Sequence, residues 1–396
     1  MTSPAAPARP SRGDELDLRI DALAYGGAGV ARLDGYVVFV RDAVPGDRVR
    51  ALVTKRKRAY AEARAVEVLE PSAERIAPLA AHPGAPWQVL PYERQLEVKA
   101  EQVADALRRI GRLEGFELEP IVPAVEQWRY RNKLEYSFGT GDGGELVCGF
   151  HAPGSWERIV AIDDCLLASE AGNAARQAAL AWCRERGLAA YDRRTQEGLL
   201  RNLVVREGRR TGELQVRLVT SPADIDLTGF AEAVGASSVM WTRAAGVGET
   251  TAGGESEVLQ GTDAIDEHLT VAGTDLRFRI SSEAFFQTNT EMTERLYGTA
   301  AEFAALRGWE RVYDLFCGIG TIGLALAPRA GLSAKIVRRI AEAAPKRIVY
   351  VSCNPTTLAP NAAQLVEAGW ALTRVRPVDM FPQTPHIECV ALLERT

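Results

Sequence analysis

Apolar and polar positions alternate along the first part of the chain in short runs punctuated by glycine. LDLRIDAL, AYGGAGVARLDG, YVVFVRDAVPGDRVRALVTKRKR and AYAEARAVEVLEP follow one another between Leu16 and Pro71. Period-two alternation broken by Gly and Asp-Gly turns predicts a small antiparallel β-barrel over 16–71. Glycines 26, 27 and 29 are expected to supply the unusual backbone angles of a turn. ERQLEVKAEQVADALRRIG, from Glu93 to Gly111, has apolar residues at helical spacing and stops on glycine, as an amphipathic helix does. The stretch 72–275 as a whole mixes strands (RNKLEYSFG, LVCGFHAP, LLRNLVVREG, ELQVRLVT) with a helix (ASEAGNAARQAALAWCRERG), giving an α+β region.

The pattern changes at Leu276. LRFRIS predicts a strand, and EAFFQTNTEMTERLYGTAAEFAAL a loop running into a helix capped near Asn289 or Thr290. RVYDLFCGIG and KRIVYVSCNP are buried strands that each end in a turn, and ALTRVRPVDMFPQTPHIECVALLER reads as two more strands around a loop. Buried strands alternating with helices predict a parallel α/β sheet over 276–396, with ligands at the carboxyl ends of its strands.

Bulk composition adds a few boundaries. A chain of 396 residues suggests two or three domains, and 46% hydrophobic with 25% charged residues is ordinary for a globular protein. No apolar run approaches the ~20 residues that cross a bilayer. Residues 1–15, rich in Pro, Ala and Ser, are expected to be a disordered lead rather than a signal peptide. Six cysteines without a CxxC pair fit reduced thiols and a cytoplasmic location. The net charge of -5 argues mildly against a nucleic-acid partner. Local basic stretches argue the other way: Lys55 to Arg58, Arg129 to Lys133, and the arginines between Arg193 and Arg217. The barrel with its KRKR run is then either a nucleic-acid grip or an accessory barrel with a solvated edge.

Three motifs carry candidate chemistry. Asp314-Leu-Phe-Cys-Gly318-Ile-Gly320 places an acid and glycines where a strand meets a helix, which suits a nucleoside cofactor and also suits a ligand-free tight turn. Cys353, in Ser352-Cys-Asn-Pro355, ends a buried strand, so it is either a core cysteine or a thiol presented outward by the Asn-Pro turn. Glu388, in Pro385-His-Ile-Glu-Cys389, precedes the last strand, as a solvated acid or as a base.

Taken together, FFQTN, DLFCGIG, PRAG, YVSCNP and DMFPQTPHIE, in this order, resemble the RNA uracil-C5 methyltransferases that use S-adenosyl-L-methionine. The N-terminal barrel resembles the TRAM domain that many of them carry, and PWQVLPYERQLEVK the segment after it, so the resemblance spans nearly all of the chain beyond residue 15. It implies a Rossmann-like methyltransferase domain at 276–396 and a central RNA-binding region. By matching position it makes Cys353 the nucleophile that adds to uracil C6 and Glu388 the base that removes the C5 proton. Phe286, Gln287, Asp314, Gly318 and Gly320 would line the cofactor and uracil sites. The partner it implies is RNA, ribosomal rather than transfer RNA by analogy with barrel-bearing members, bound by a monomer with the target base out of its stack.

Two departures from the family stand out. Many members hold a [4Fe-4S] cluster on three cysteines before the PWQ segment and a fourth further on; here RIAPLAAHPGAPWQVL has none, and Cys165 alone matches the fourth position. No cluster is expected, because one thiolate falls well short of the ligand set a cubane takes. Second, three strands with their helices should separate Gly320 from PRAG, roughly 60 residues at about 30 per βαβ step. Here Leu326-Ala327 runs straight into Pro328-Arg329, and the ribose-holding acid has no counterpart. A genuine internal deletion, a break in the recorded sequence and a compact sheet closed by a fused helix remain open. The deletion also leaves a second function open: a non-catalytic RNA-binding or RNA-folding protein. Methylation of a small molecule on the same sheet fits the RNA-type barrel less well.

Overall fold

The computed structural model describes residues 9–246, 248, 251, 253–307, 312 and 345–396. The barrel consists of β1 (Glu15–Arg19), β2 (Ala22–Leu23), β3 (Gly29–Leu33), β4 (Tyr36–Arg41), β5 (Arg48–Arg56) and β6 (Tyr60–Glu70), in the order β1-β5-β6-β4-β3-β2. Alternate residues such as Leu18, Val38, Val40, Val49 and Val53 fill its interior. One pair departs from the antiparallel expectation. The chain leaves β4, runs back along β5 and returns in β6, so β4 and β6 pair in parallel, Val37 opposite Tyr60. Of the three turn glycines, Gly26 and Gly27 sit at φ of 89° and 88°. Gly29 is needed for a different reason: a Cβ there would meet Ile20 at 2.8 Å.

The predicted amphipathic helix is α1 (Tyr92–Asp105), continued by a π-helical turn over Ala106–Ile110 and followed by the short β7 (Glu117–Leu118). The central sheet comprises β8 (Lys133–Thr140), β9 (Leu146–His151), β10 (Ile159–Ala161), β11 (Leu200–Gly208), β12 (Glu213–Thr220), β13 (Ser238–Arg243) and β14 (Glu255–Gln260). Its order is β10-β9-β8-β11-β12-β13-β14. Helices α2 (Glu170–Glu185) and α3 (Phe230–Val234) cover it through Ala179, Trp182, Cys183 and Phe230.

The ribbon of β15 (Ala264–Val271) and β16 (Thr274–Ser281) leads into α4 (Thr290–Ala304). Asn289 caps that helix, its Oδ1 accepting the Met292 N–H at 3.1 Å. After it come β17 (Arg347–Ser352), α5 (Pro355–Glu367), β18 (Trp370–Val378) and β19 (Glu388–Arg395), in a sheet of order β17-β19-β18-β7. The expected strand and loop of RVYDLFCGIG fall almost wholly outside the described residues.

The described part of this sheet is mixed rather than wholly parallel. β18 and β19 are joined by residues 379–387 only, fewer than the dozen or so that a crossover needs. β19 therefore returns antiparallel between its two neighbours. Its side chains alternate between two cores. Cys389, Ala391 and Leu393 meet α1 and α5 through Val103, Leu107, Leu358 and Leu365, whereas Val390 and Leu392 meet α4 and the ribbon through Leu269, Phe286, Leu296 and Phe303. Thus α1 and β7, although they fall within 72–275 in the sequence, pack on the C-terminal sheet. Among the described residues no helix is long and apolar enough to cross a membrane.

Candidate active site

The ladder between β17 and β19 pairs Ser352 with Cys389. Cys353 follows the first member of that pair and Glu388 precedes the second, so the last rung of the ladder brings together two residues 35 positions apart in the chain. The turn holding Cys353 is built locally. Ser352 Oγ accepts the Asn354 N–H at 3.2 Å, and Asn354 Oδ1 accepts the N–H groups of Thr356 and Thr357 at 2.9 and 3.3 Å, capping α5. Pro355 follows at the first helical position, where its missing N–H costs nothing. Cys353 thus precedes a helix N-terminus, an end that favours negative charge. Cys353 is exposed, whereas the other described cysteines, Cys148, Cys165, Cys183 and Cys389, are buried. Glu388, only 3% exposed, starts β19 and pairs with Val378 on the other side.

The loop from Asp379 to Ile387 reaches Glu388 through buried polar contacts to α1. Lys99 Nζ lies 2.6 Å from Asp379 Oδ1, both side chains being fully buried, and donates to the Phe381 carbonyl at 3.1 Å. Tyr92 donates its hydroxyl proton to Asp379 Oδ2 at 2.8 Å. Burial lowers the Lys99 pKa, and the Asp379 carboxylate opposes that shift. Gln95 and Gln383 form a reciprocal pair: Gln95 Nε2 donates to Gln383 Oε1 at 2.8 Å, and the Gln383 N–H donates to Gln95 Oε1 at 2.9 Å. Asn289 Nδ2 donates to the Met380 carbonyl at 3.0 Å, joining the FFQTN segment to this loop. Sequence reasoning missed Gln95, Lys99 and Gln102. The available signal was their recurrence at helical spacing among Val98 and Val103, on the face of α1 that is buried.

Phe286 and Gln287 are both buried but differ in setting. The Phe286 ring is in the core, edge-on to Phe278 with centroids 5.4 Å apart. The Gln287 carbonyl accepts from Asn132 Nδ2 at 2.9 Å, while its side-chain Nε2 is buried without a hydrogen-bond partner. Such an orphan donor costs free energy unless a ligand satisfies it, so this residue fits a polar cofactor or substrate. Asp314, Gly318 and Gly320 lie outside the described residues.

Of the three basic stretches, Lys55 to Arg58 is exposed at the end of β5. Lys55 pairs there with Glu62 at 3.0 Å, and several residues of the other two stretches are also paired within the fold. Arg129 pairs with Asp164 at 2.7 Å and Lys133 with Glu135 at 2.6 Å, while Tyr130 is fully buried. Arg201, Arg206 and Arg217 are buried, donating to the Ala244 and Ala284 carbonyls and to Glu283 respectively. A run of basic letters shows charge but not whether the fold has already paired it. A cleft of about 940 Å³ lies beside the barrel, lined by Tyr25, Phe39, Arg41, Tyr60, Trp87 and Pro385 among others.

In the segment before Trp87 that lacks the family's three cysteines, His82 Nδ1 accepts the Gly84 N–H at 3.1 Å. That fixes the tautomer, so His82 Nε2–H points to Cys165 Sγ at 3.3 Å. Burial pushes the His82 pKa down to about 4. Among the described residues no group of three or more His, Cys, Asp or Glu could hold a metal ion.

Known proteins resemble the chain over most of its length. A TRAM domain profile matches residues 10–66, and the tRNA (uracil-5-)-methyltransferase profile matches 250–329 and again 327–396. An uncharacterized RNA methyltransferase of Halalkalibacterium halodurans is 32% identical over 453 residues, covering 97% of this chain and 98% of the relative. Another, from Chlorobaculum tepidum, is 34% identical over 437 residues, covering 89% and 90%. Among solved structures, the Pyrococcus abyssi tRNA (uracil-54, C5)-methyltransferase in complex with S-adenosyl-L-homocysteine superposes with a TM-score of 0.76. That pair is 25% identical over 95% of this chain and 99% of the other. The two halves of the methyltransferase match meet at 327–329, the point at which the sequence reads as interrupted. An alignment 453 long that uses 97% of 396 residues leaves about 70 positions of the relative without a counterpart.

Proposed function

Since the chain belongs to the S-adenosyl-L-methionine-dependent RNA uracil-5 methyltransferase family, we propose that it methylates uridine C5 in ribosomal RNA through a covalent bond between Cys353 and C6. The observation that supports this reading is the last pair of the β17–β19 ladder, Ser352 with Cys389, since Cys353 and Glu388 are each one residue from it.

Uracil C5 is too weak a nucleophile to take a methyl group directly. Addition of the Cys353 thiolate to C6 pushes the electron pair of the C5–C6 double bond onto C5 and the C4 carbonyl, making an enolate. The cofactor, when bound, supplies an electrophilic methyl group on a sulfonium. Phe286 and Gln287 would line its place on the described side, Gln287 offering its unpartnered amide. Once C5 carries the methyl group, Glu388 takes the C5 proton, the double bond reforms and the Cys353–C6 bond breaks, returning the thiolate. Burial of Glu388 keeps water from competing for that proton.

The expectation of ribosomal RNA rested on the barrel. The archaeal enzyme, named for tRNA, matches over 95% of this chain, so the barrel by itself does not separate the two RNAs. Ribosomal and transfer RNA transcripts carrying 5-fluorouridine do separate them: fluorine at C5 blocks proton removal, and the adduct persists on gels. A ribosomal transcript is expected to form the adduct and Cys353→Ala to abolish it. With ordinary RNA, Glu388→Gln is expected to accumulate a methylated covalent complex. A second reading, RNA binding without catalysis, draws on the roughly 70 positions of the relative that have no counterpart here and on the break of the methyltransferase match at 327–329. Calorimetric titration with S-adenosyl-L-methionine decides: absence of heat together with absence of adduct leaves only the binding role.

A further inference from the structure

The barrel reaches into the site itself. The turn 23–27, between β2 and β3, is held from three sides. Gln102 Nε2 of α1 donates to the Leu23 and Ala24 carbonyls, each at 3.2 Å. Leu23 packs with Trp87, Leu90 and Val98. At Gly27 the approach is so close that a Cβ would stand 3.0 Å from the Pro385 ring, three residues before Glu388. Between these contacts, Tyr25 packs its ring against the core that holds Ile387 and Cys389. Its hydroxyl donates to the Cys353 carbonyl at 3.1 Å.

We propose that Tyr25, a residue of the barrel, is a positioning residue for the Cys353 nucleophile, so that the barrel completes the active site as well as gripping RNA. Cys353 stands one residue past the end of β17, beyond the last pair of the ladder. Fixing its carbonyl fixes the rotation of its peptide, and with it the direction of the Cα–Cβ bond that carries the thiol. Burial, with the charges of Cys353, Cys389 and Glu388 adding to it, pushes the Tyr25 phenol up to about 12. The hydroxyl therefore keeps its proton, and its donor role, across the neutral range. A barrel that served only as a tether would need none of these contacts, since the chain from residue 71 to residue 91 already links it to α1.

This inference rests on the reading of Cys353 as nucleophile, and its test separates the two. Full-length Tyr25→Phe removes the hydroxyl and keeps the ring, and an unchanged thermal midpoint verifies the packing. Three readouts follow: adduct formation with 5-fluorouridine RNA at saturation, RNA affinity by anisotropy, and the pH profile of Cys353 alkylation by iodoacetamide, resolved by peptide mass spectrometry. The expected result is adduct formation slowed about five- to tenfold, the value of one hydrogen bond, with RNA affinity unchanged and the alkylation profile displaced. If adduct rate and alkylation profile both match the parent, or if the whole effect lies in RNA affinity, the proposal is overturned. If the parent forms no adduct at all, the catalytic reading fails, and the alkylation arm still decides: a displaced profile upholds Tyr25 as the residue that sets the thiol, and an unchanged one overturns it.

Discussion

The two sides of the candidate site are built in opposite ways. The loop leading to Glu388 is fastened by buried polar groups, Lys99 to Asp379, Gln95 to Gln383 and Asn289 to Met380, all reaching over long sequence distances. The turn bearing Cys353 is held chiefly by its neighbours Ser352, Asn354 and Pro355, and Cys353 is exposed. A base must take a proton from one fixed direction, which favours a rigid, dry mounting. A nucleophile must approach and leave the ring in each cycle, which favours a locally defined turn that a single distant bond can adjust. The contrast predicts where substitutions harm the fold and where they harm only the chemistry.

Removing the Lys99 charge should be the most damaging change on the loop side. Lys99→Met leaves the Asp379 carboxylate buried and uncompensated, which costs about 3–5 kcal/mol. Denaturant unfolding measures it, and Lys99→Met with Asp379→Leu should recover most of the loss. If the single variant unfolds like the parent, the loop is not the rigid side. Gln95→Ala comes next, at roughly 1–3 kcal/mol, because Gln383 and the Trp87 and Leu90 carbonyls lose their buried partner.

Acid should loosen the same side. His82 precedes Trp87, whose N–H donates to the Gln383 carbonyl at 3.0 Å. With its folded pKa near 4 against an ordinary 6.5, His82 takes up a proton on unfolding throughout that window. Stability therefore falls as pH drops from 6.5 towards 4 and is intact above it, by an amount on the order of 1–2 kcal/mol near pH 5. Thermal melts of His82→Gln across this range should be flatter than those of the parent. Smallest is Asn354→Ala on the turn side, about 1 kcal/mol for a lost helix cap. Its effect on adduct formation should exceed its effect on the melt; the reverse would dissolve the distinction between the two sides.

Much of this was legible in the sequence wherever a local rule governs. The helix at 93–111, the cap at Asn289 and the period-two strands follow from spacing and from which side chains can satisfy free backbone groups. The resemblance marked Cys353 and Glu388, but their nearness depends on the ladder that pairs Ser352 with Cys389, which spacing does not contain. Of the arginines between 193 and 217, Arg201, Arg206 and Arg217 are buried with partners inside the fold, which composition does not report. Tyr25 was passed over beside two turn glycines: a tyrosine in a barrel turn gives no hint that it meets a turn 328 positions away.

The packing of α1 has a consequence for how the chain is made. Its apolar face is covered by residues from Tyr350 to Leu393, which leave the ribosome about 250 residues after the helix itself. At a synthesis rate of roughly 5–20 residues per second, that face waits on the order of 10–50 s for its partner. The barrel can close during that interval, because all six strands lie ahead of α1. The site cannot, since Cys353, Glu388 and the strands joining them emerge only with residues 347–395.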